Sequence, residues 1–174
     1  MNTPNKLTLL RVLLVPVFMI FMLTESIPYA RYIAAALFVL AFCTDWLDGY
    51  LARKNGQVTN FGKIMDPLAD KLLVTAALVC LNVTGEVSAW VTVIITAREF
   101  LVSGIRIAAA SEGNVIAASM WGKVKTMWQF IALTLALFVG ANLWIELAVW
   151  LAAALTILSG TDYLVKNRKY LSMQ

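Results

Sequence analysis

The sequence has no histidine among its 174 residues and only two cysteines. The first absence removes every mechanism that uses an imidazole as base, nucleophile partner or metal ligand. Proton transfer then falls to a carboxylate, a tyrosine, a lysine or water. Cys43 and Cys80 both lie in apolar runs with no local cysteine or histidine partner, which argues against a disulfide framework or a zinc site. Charge is scarce too. Only 14% of the residues are charged and 61% are hydrophobic, whereas a soluble domain carries about 25% charged residues. There is no internal repeat and no low-complexity linker, so a transporter built from inverted repeats lacks its usual signature.

What the chain does have is apolar residues gathered into long blocks. A membrane-spanning helix needs ~20 mostly apolar residues. Six segments meet or approach that length, near residues 7–24, 29–52, 64–83, 87–110, 120–140 and 143–165. The expected architecture is an all-α integral membrane protein with six transmembrane helices in a single domain, residues 1–174. The first segment does not read as a cleaved signal: Arg11 interrupts it and no small-residue cleavage site follows. Lys6, Arg11, Arg53, Lys54, Lys63, Arg106, Lys123, Lys125, Lys166, Arg168 and Lys169 fall in or beside alternate connections and at the termini. The opposite connections carry Glu25, Glu86 and Glu146, with Arg31 nearby. The positive-inside rule places both termini in the cytoplasm of a cell (inner or plasma) membrane. The formal charge of +4 is thus a topology signal, and its scattered cations do not form a nucleic-acid patch.

One segment breaks the oily background. Residues 45–70 read DWLDGYLARKNGQVTNFGKIMDPLAD. On a helix, Asp45, Asp48, Gly49 and Ala52 share one face, and Gly62, Asp66 and Asp70 share another. A connection of about nine residues joins the two faces, close to the usual range for antiparallel neighbours. All four carboxylates are therefore expected to converge. A single aspartate inside a membrane costs ~2.5–3.5 kcal/mol on insertion scales. Arg53 and Lys71 supply only two compensating charges, so hard divalent cations are expected, with Mg²⁺ or Mn²⁺ left open. Four carboxylates suit two ions, and two ions suit displacement at phosphorus. Gly49, Ala52 and Gly62 serve either close helix packing or a gap for a nucleotide or pyrophosphate. Arg53, on its own an anchoring cation, is then placed to grip phosphate.

The pattern D-x2-D-G-x2-A-R-x8-G-x3-D-x3-D is filled by Asp45, Asp48, Gly49, Ala52, Arg53, Gly62, Asp66 and Asp70. It resembles the signature of the CDP-alcohol phosphotransferases at every fixed position. The resemblance implies that Asp45, Asp48 and Asp66 ligate metal, and that Asp70 ligates or acts as the base. It also implies that Gly49, Ala52, Arg53 and Thr59, beside Gly62, contact the CDP moiety. An alcohol hydroxyl attacks the lipid-side phosphorus and CMP leaves, with positioning and charge stabilisation supplying most of the catalysis. A homodimer embedded among membrane lipids is the assembly it implies.

The acceptor must be read elsewhere. Arg98, Glu99 and Arg106 lie within the fourth segment, and charged residues inside a span are functional candidates. The two arginines are eight apart, about two turns and roughly one face. Glu99 neutralises or orients a neighbouring arginine. Lys123 and Lys125 open the fifth segment, either as anchors at the membrane surface or as part of a basic cluster. Such a cluster facing the aspartates suits an anionic, phosphorylated alcohol. "ARE…R", "GNVIAAS" and "GKVKTMWQ", with the opening "PNKLTLLR", resemble the bacterial branch of the family that transfers phosphatidyl from CDP-diacylglycerol to glycerol 3-phosphate. In that resemblance Asn5 and Thr8 help to close over the nucleotide; helix capping is the plainer role for both. Inositol phosphate, serine or phosphatidylglycerol remain alternative acceptors. A divalent-cation transporter explains the carboxylates but leaves Gly49, Ala52, Arg53 and the basic cluster without a role.

Overall fold

A computed structural model describes residues 3–24, 26–54, 60–111, 113–114, 116 and 119–170; the side chains of residues 3–7, 45–54, 60–67 and 169 lie outside that description. Six helices account for nearly all of it: α1 (Thr3–Leu23), α2 (Ala30–Lys54), α3 (Asn60–Val83), α4 (Ala89–Ser111), α5 (Met120–Val139) and α6 (Leu143–Lys166). A short 3₁₀ turn, Arg168–Tyr170, follows. There is no strand among the described residues.

The helices follow the six apolar blocks, with two informative differences. α1 begins at Thr3 and α3 at Asn60, each about one turn before its apolar block begins. Hydropathy marks where side chains become oily, but backbone hydrogen bonding continues into polar turns. Pro4 is tolerated in the first turn of α1, where its missing N–H has no partner to lose. As a result only residues 55–59 separate α2 from α3, fewer than the nine or so expected, and Gly62 is helical, on the same helix as Asp66 and Asp70.

Local chemistry sets the other ends. Ser119 caps α5 by accepting from Gly122 N at 3.1 Å, and Asn142 caps α6 by accepting from Trp144 N at 2.9 Å. Both satisfy a donor that the helix leaves unpaired. Gly140 ends α5 at φ +85, a region open to glycine, and its N–H donates to Ala136 O at 3.0 Å.

α1 packs on α2 and α3, α6 packs on α4 and α5, and α2 meets α5 between the two groups. The contact surfaces are built largely from alanine. Ala34, Ala35, Ala41, Ala76, Ala77, Ala132, Ala136, Ala152 and Ala153 are all buried. Small residues let helix backbones approach closely, which is how helices associate where solvent gives no hydrophobic drive. Larger side chains fill the remaining space: Phe18, Phe38, Leu73, Leu78, Leu81 and Leu133 are fully buried. Phe38 and Phe42 stack with Phe130 at ring separations of 5.9 and 3.7 Å, tying α2 to α5.

The outside of the bundle is apolar. Leu13, Ile20, Trp90, Phe100, Ile107, Trp144 and Val165 are among many large hydrophobic side chains that face outward. By length and composition, α6 is the one helix among the described residues able to cross a membrane by itself; Thr8–Leu23 and Ala30–Thr44 are shorter apolar stretches.

Candidate active site

The predicted aspartates lie on the two neighbouring helices expected of them. Asp45 and Asp48 are in α2, with Gly49, Ala52 and Arg53; Asp66 and Asp70 are in α3, with Gly62. Of these residues only Asp70 has a described side chain. Among the described residues no group of three possible metal-ligating side chains occurs. Asn5 lies in α1, its side chain undescribed, while Thr59 and Glu25 fall outside the described residues. Thr8 is buried in α1, one turn from the equally buried Arg11.

Asp70 opens onto a cavity of about 390 Å³. Its wall draws on five helices: Phe42 of α2, Asp70 and Lys71 of α3, Arg98, Glu99 and Arg106 of α4, Gly122, Lys123 and Thr126 of α5, and Tyr163 of α6, with Ser119 at the α5 cap. Three of the four predicted acceptor-binding cations, Arg98, Arg106 and Lys123, thus line the same space as the predicted base. The eight-residue spacing does place Arg98 and Arg106 on a common wall. The fourth, Lys125, is buried against an adjoining space of about 30 Å³, which it shares with Asp70, Lys71, Glu99 and Gln129.

Glu99 is the hub of this region. One carboxylate oxygen accepts from Arg98 Nη1 at 3.1 Å and also from Lys125 Nζ. Lys71 donates to Ser103, whose hydroxyl donates to Glu99 O at 2.6 Å. Arg106 lies 5.8 Å from the Tyr163 ring centre, with Nε 3.4 Å from the phenol oxygen. Around the two spaces stand Lys71, Arg98, Arg106, Lys123 and Lys125 against the carboxylates of Asp70 and Glu99. Among the described residues the cations outnumber the carboxylates there, and the buried Arg98 Nε has no hydrogen-bond partner among them. The first turn of α5 also opens here, adding the partial positive charge of a helix N-terminus. The arrangement suits an anion presented close to a carboxylate.

Several residues in or behind the cavity wall escaped the sequence reading. Tyr163 and Ser103 look like ordinary helical residues. Gly122 was visible only as part of a motif, and Gly160 had no signal at all. A Cβ at Gly160 would stand 3.0 Å from Arg98 Cγ, and one at Gly122 would stand 3.7 Å from Arg98 Nη2. Those facts arise from packing between helices and have no local trace.

A second polar site lies at the far end of α5. Arg31 Nη1 and Nη2 donate to the two oxygens of Glu86, each at 2.6 Å. Its Nε donates to Leu137 O at 2.7 Å and Nη2 also to Ala136 O at 2.6 Å. Burial alone raises the Glu86 carboxyl, but hydrogen bonds from Arg31 and Thr84 and the Arg31 charge outweigh it and hold the group below its usual value.

The comparisons with known proteins agree with this geometry. The family model described as CDP-alcohol phosphatidyltransferase matches residues 1–158. A Bacillus subtilis (strain 168) protein named CDP-diacylglycerol–glycerol-3-phosphate 3-phosphatidyltransferase is 46% identical, the match covering 95% of each chain. A Rickettsia bellii protein of the same name is 41% identical over 97% of each chain. One from Haemophilus influenzae is 43% identical, over 94% of this chain and 91% of the relative. By the family match and by identity over nearly its full length, the chain belongs to the CDP-alcohol phosphatidyltransferase family.

Proposed function

We propose that the chain is a phosphatidylglycerophosphate synthase: it transfers the phosphatidyl group from CDP-diacylglycerol to glycerol 3-phosphate and releases CMP, a step toward phosphatidylglycerol and cardiolipin. The observation that carries this reading is the shared cavity, in which Asp70 stands with Arg98, Arg106 and Lys123. A neutral acceptor has no use for Arg98, Arg106 and Lys123 around its site. A phosphate monoester does, since guanidinium and ammonium groups bind it through charge-assisted hydrogen bonds.

Asp45, Asp48, Asp66 and Asp70 are the residues to hold divalent metal, and their all-oxygen donor set on two packed helices suits Mg²⁺ or Mn²⁺. Such ions, two in this reading, neutralise the pyrophosphate and the charge that develops on transfer. Arg53, Gly49, Ala52 and Gly62, with Asn5, Thr8 and Thr59, accommodate the CDP moiety. Arg98, Arg106, Lys123 and Lys125 hold the acceptor phosphate and so orient its free hydroxyl. Asp70 takes the hydroxyl proton. The acceptor oxygen forms a bond to the lipid-side phosphorus, the bond to the bridging oxygen breaks, and CMP departs with that oxygen. Positioning two substrates in line is a large part of the rate gain.

The outward-facing apolar side chains and the spanning capacity of α6 support a bundle of six membrane spans. The distribution of lysine and arginine supports cytoplasmic termini, an active site open to the cytoplasm and a place in the inner or plasma membrane. A homodimer among membrane lipids follows from the family resemblance alone. The test is CMP release by purified protein given CDP-diacylglycerol and a panel of glycerol 3-phosphate, inositol phosphate, serine and phosphatidylglycerol. Release should depend on glycerol 3-phosphate and stop in excess EDTA. Equal release with another acceptor contradicts the acceptor assignment, and full activity in EDTA contradicts the metal assignment.

A further inference from the structure

Arg98 reaches the cavity through a gap that two glycines leave open. It stands on α4 with its side chain only 13% exposed. Gly160, buried on α6, faces the root of that side chain, and a Cβ there would lie 3.0 Å from Cγ. Carbon atoms settle at roughly 3.5–4.0 Å, and Cγ cannot swing aside as a flexible tip could. Either the arginine stem or α6 itself would have to shift. Gly122, on α5, faces the other end of the side chain, 3.7 Å from Nη2 and 3.3 Å from Ser119 Oγ for an added Cβ. Glycine inside a helix costs stability relative to alanine, so two glycines around one buried arginine call for a reason.

The head of the side chain is fixed as well. Nη1 donates to Glu99 Oε1, the same oxygen that accepts from Lys125. The buried Nε has no partner among the described residues. The side chain is thus set in depth at its root by Gly160 and set in orientation by Glu99.

We propose that Gly160 is a positioning residue for acceptor choice: by the room it leaves, it sets how deep the Arg98 guanidinium stands. It thereby fixes the distance between the acceptor phosphate and the hydroxyl presented at Asp70, favouring a short-chain phosphate monoester. This rests on the reading of the cavity as the acceptor site. The alternative role for Gly160, close packing of α4 on α6, does not pass through the arginine.

A double-mutant cycle separates these roles, because Arg98→Ala removes the Cγ that an added Cβ would strike. Wild type, Gly160→Ala, Arg98→Ala and the double variant are compared by CMP release and thermal unfolding. Gly160→Ala should raise the glycerol 3-phosphate KM about tenfold and leave the CDP-diacylglycerol KM within about twofold. Arg98→Ala should raise the acceptor KM further, and the double variant should match Arg98→Ala alone. An unchanged KM in Gly160→Ala, or effects that multiply in the double variant, overturns the proposal while leaving the cavity assignment standing. An unchanged acceptor KM in Arg98→Ala overturns the cavity assignment itself. Should Gly160→Ala fail to fold, recovery of folding in the double variant supports the contact, and continued failure overturns it.

Discussion

The two ends of α5 carry the same kinds of side chain put to different use. At the end near Ala136, Arg31 uses four of its five N–H donors: two bonds to Glu86 and two to backbone carbonyls of α5. Roughly 17–26 Å away along the helix, at Ser119 to Lys125, cations outnumber carboxylates among the described residues and a cavity stands open beside them. Arg31 meets the Leu137 carbonyl and shares the Ala136 carbonyl with Gly140 N in the last turn of α5, where a cation is also favoured by the helix dipole. Arg98 has one carboxylate bond, shared with Lys125, and a buried donor left over. Charge alone does not mark function in an apolar chain. Whether its hydrogen-bonding capacity is used up by the protein itself does.

The largest expected effect is at the open end. Asp70→Asn keeps the shape but removes the proton acceptor and a metal ligand, and CMP release should fall by a factor on the order of 10³ or more. The thermal midpoint should stay near that of wild type; comparable turnover would remove Asp70 from the chemistry. Arg31→Met should do the reverse. It leaves Glu86 and the Leu137 carbonyl short of donors, and stability should fall by on the order of 2 kcal/mol. Denaturation in detergent measures the loss, while the turnover of the folded fraction should be retained. Loss of turnover without loss of stability would erase the contrast between the ends.

Two smaller effects sharpen it. Arg106→Ala or Lys125→Ala should raise the acceptor KM about tenfold with little change in that for CDP-diacylglycerol. An unchanged acceptor KM would assign those cations to anchoring. The Glu86 carboxyl is held below its usual value in the folded protein. Its contribution to stability is therefore fully present above the unfolded value of about 4.3 and is lost as pH falls through the lower folded value. The gap in thermal midpoint between wild type and Glu86→Gln should thus be widest above about pH 5 and narrow in acid. A gap that widens in acid contradicts the clamp.

The six helices were legible because each is a long apolar block, and length and oiliness are local properties. So were Arg98 and Glu99, since charge within a block stands out whatever packs against it. The aspartate spacing was equally local, and it placed Asp70 beside a cavity that the spacing could not describe. The partnership of Arg31 with Glu86 was not legible: 55 residues separate them, and both looked like charges in outward connections. Gly160 was hidden for the same reason, because its neighbour is a side chain on another helix. Helical periodicity tells which residues share a face, but the way faces meet depends on packing between helices.

In the proposed function, Arg98, Arg106, Lys123 and Lys125 at the open end hold an acceptor phosphate. Steady-state CMP release by wild type with glycerol 3-phosphate and with glycerol, at matched CDP-diacylglycerol, tests it most directly, since the two acceptors differ only in that phosphate. Saturable turnover with glycerol 3-phosphate and negligible turnover with glycerol is the predicted result. Comparable kcat/KM for the two would contradict the account.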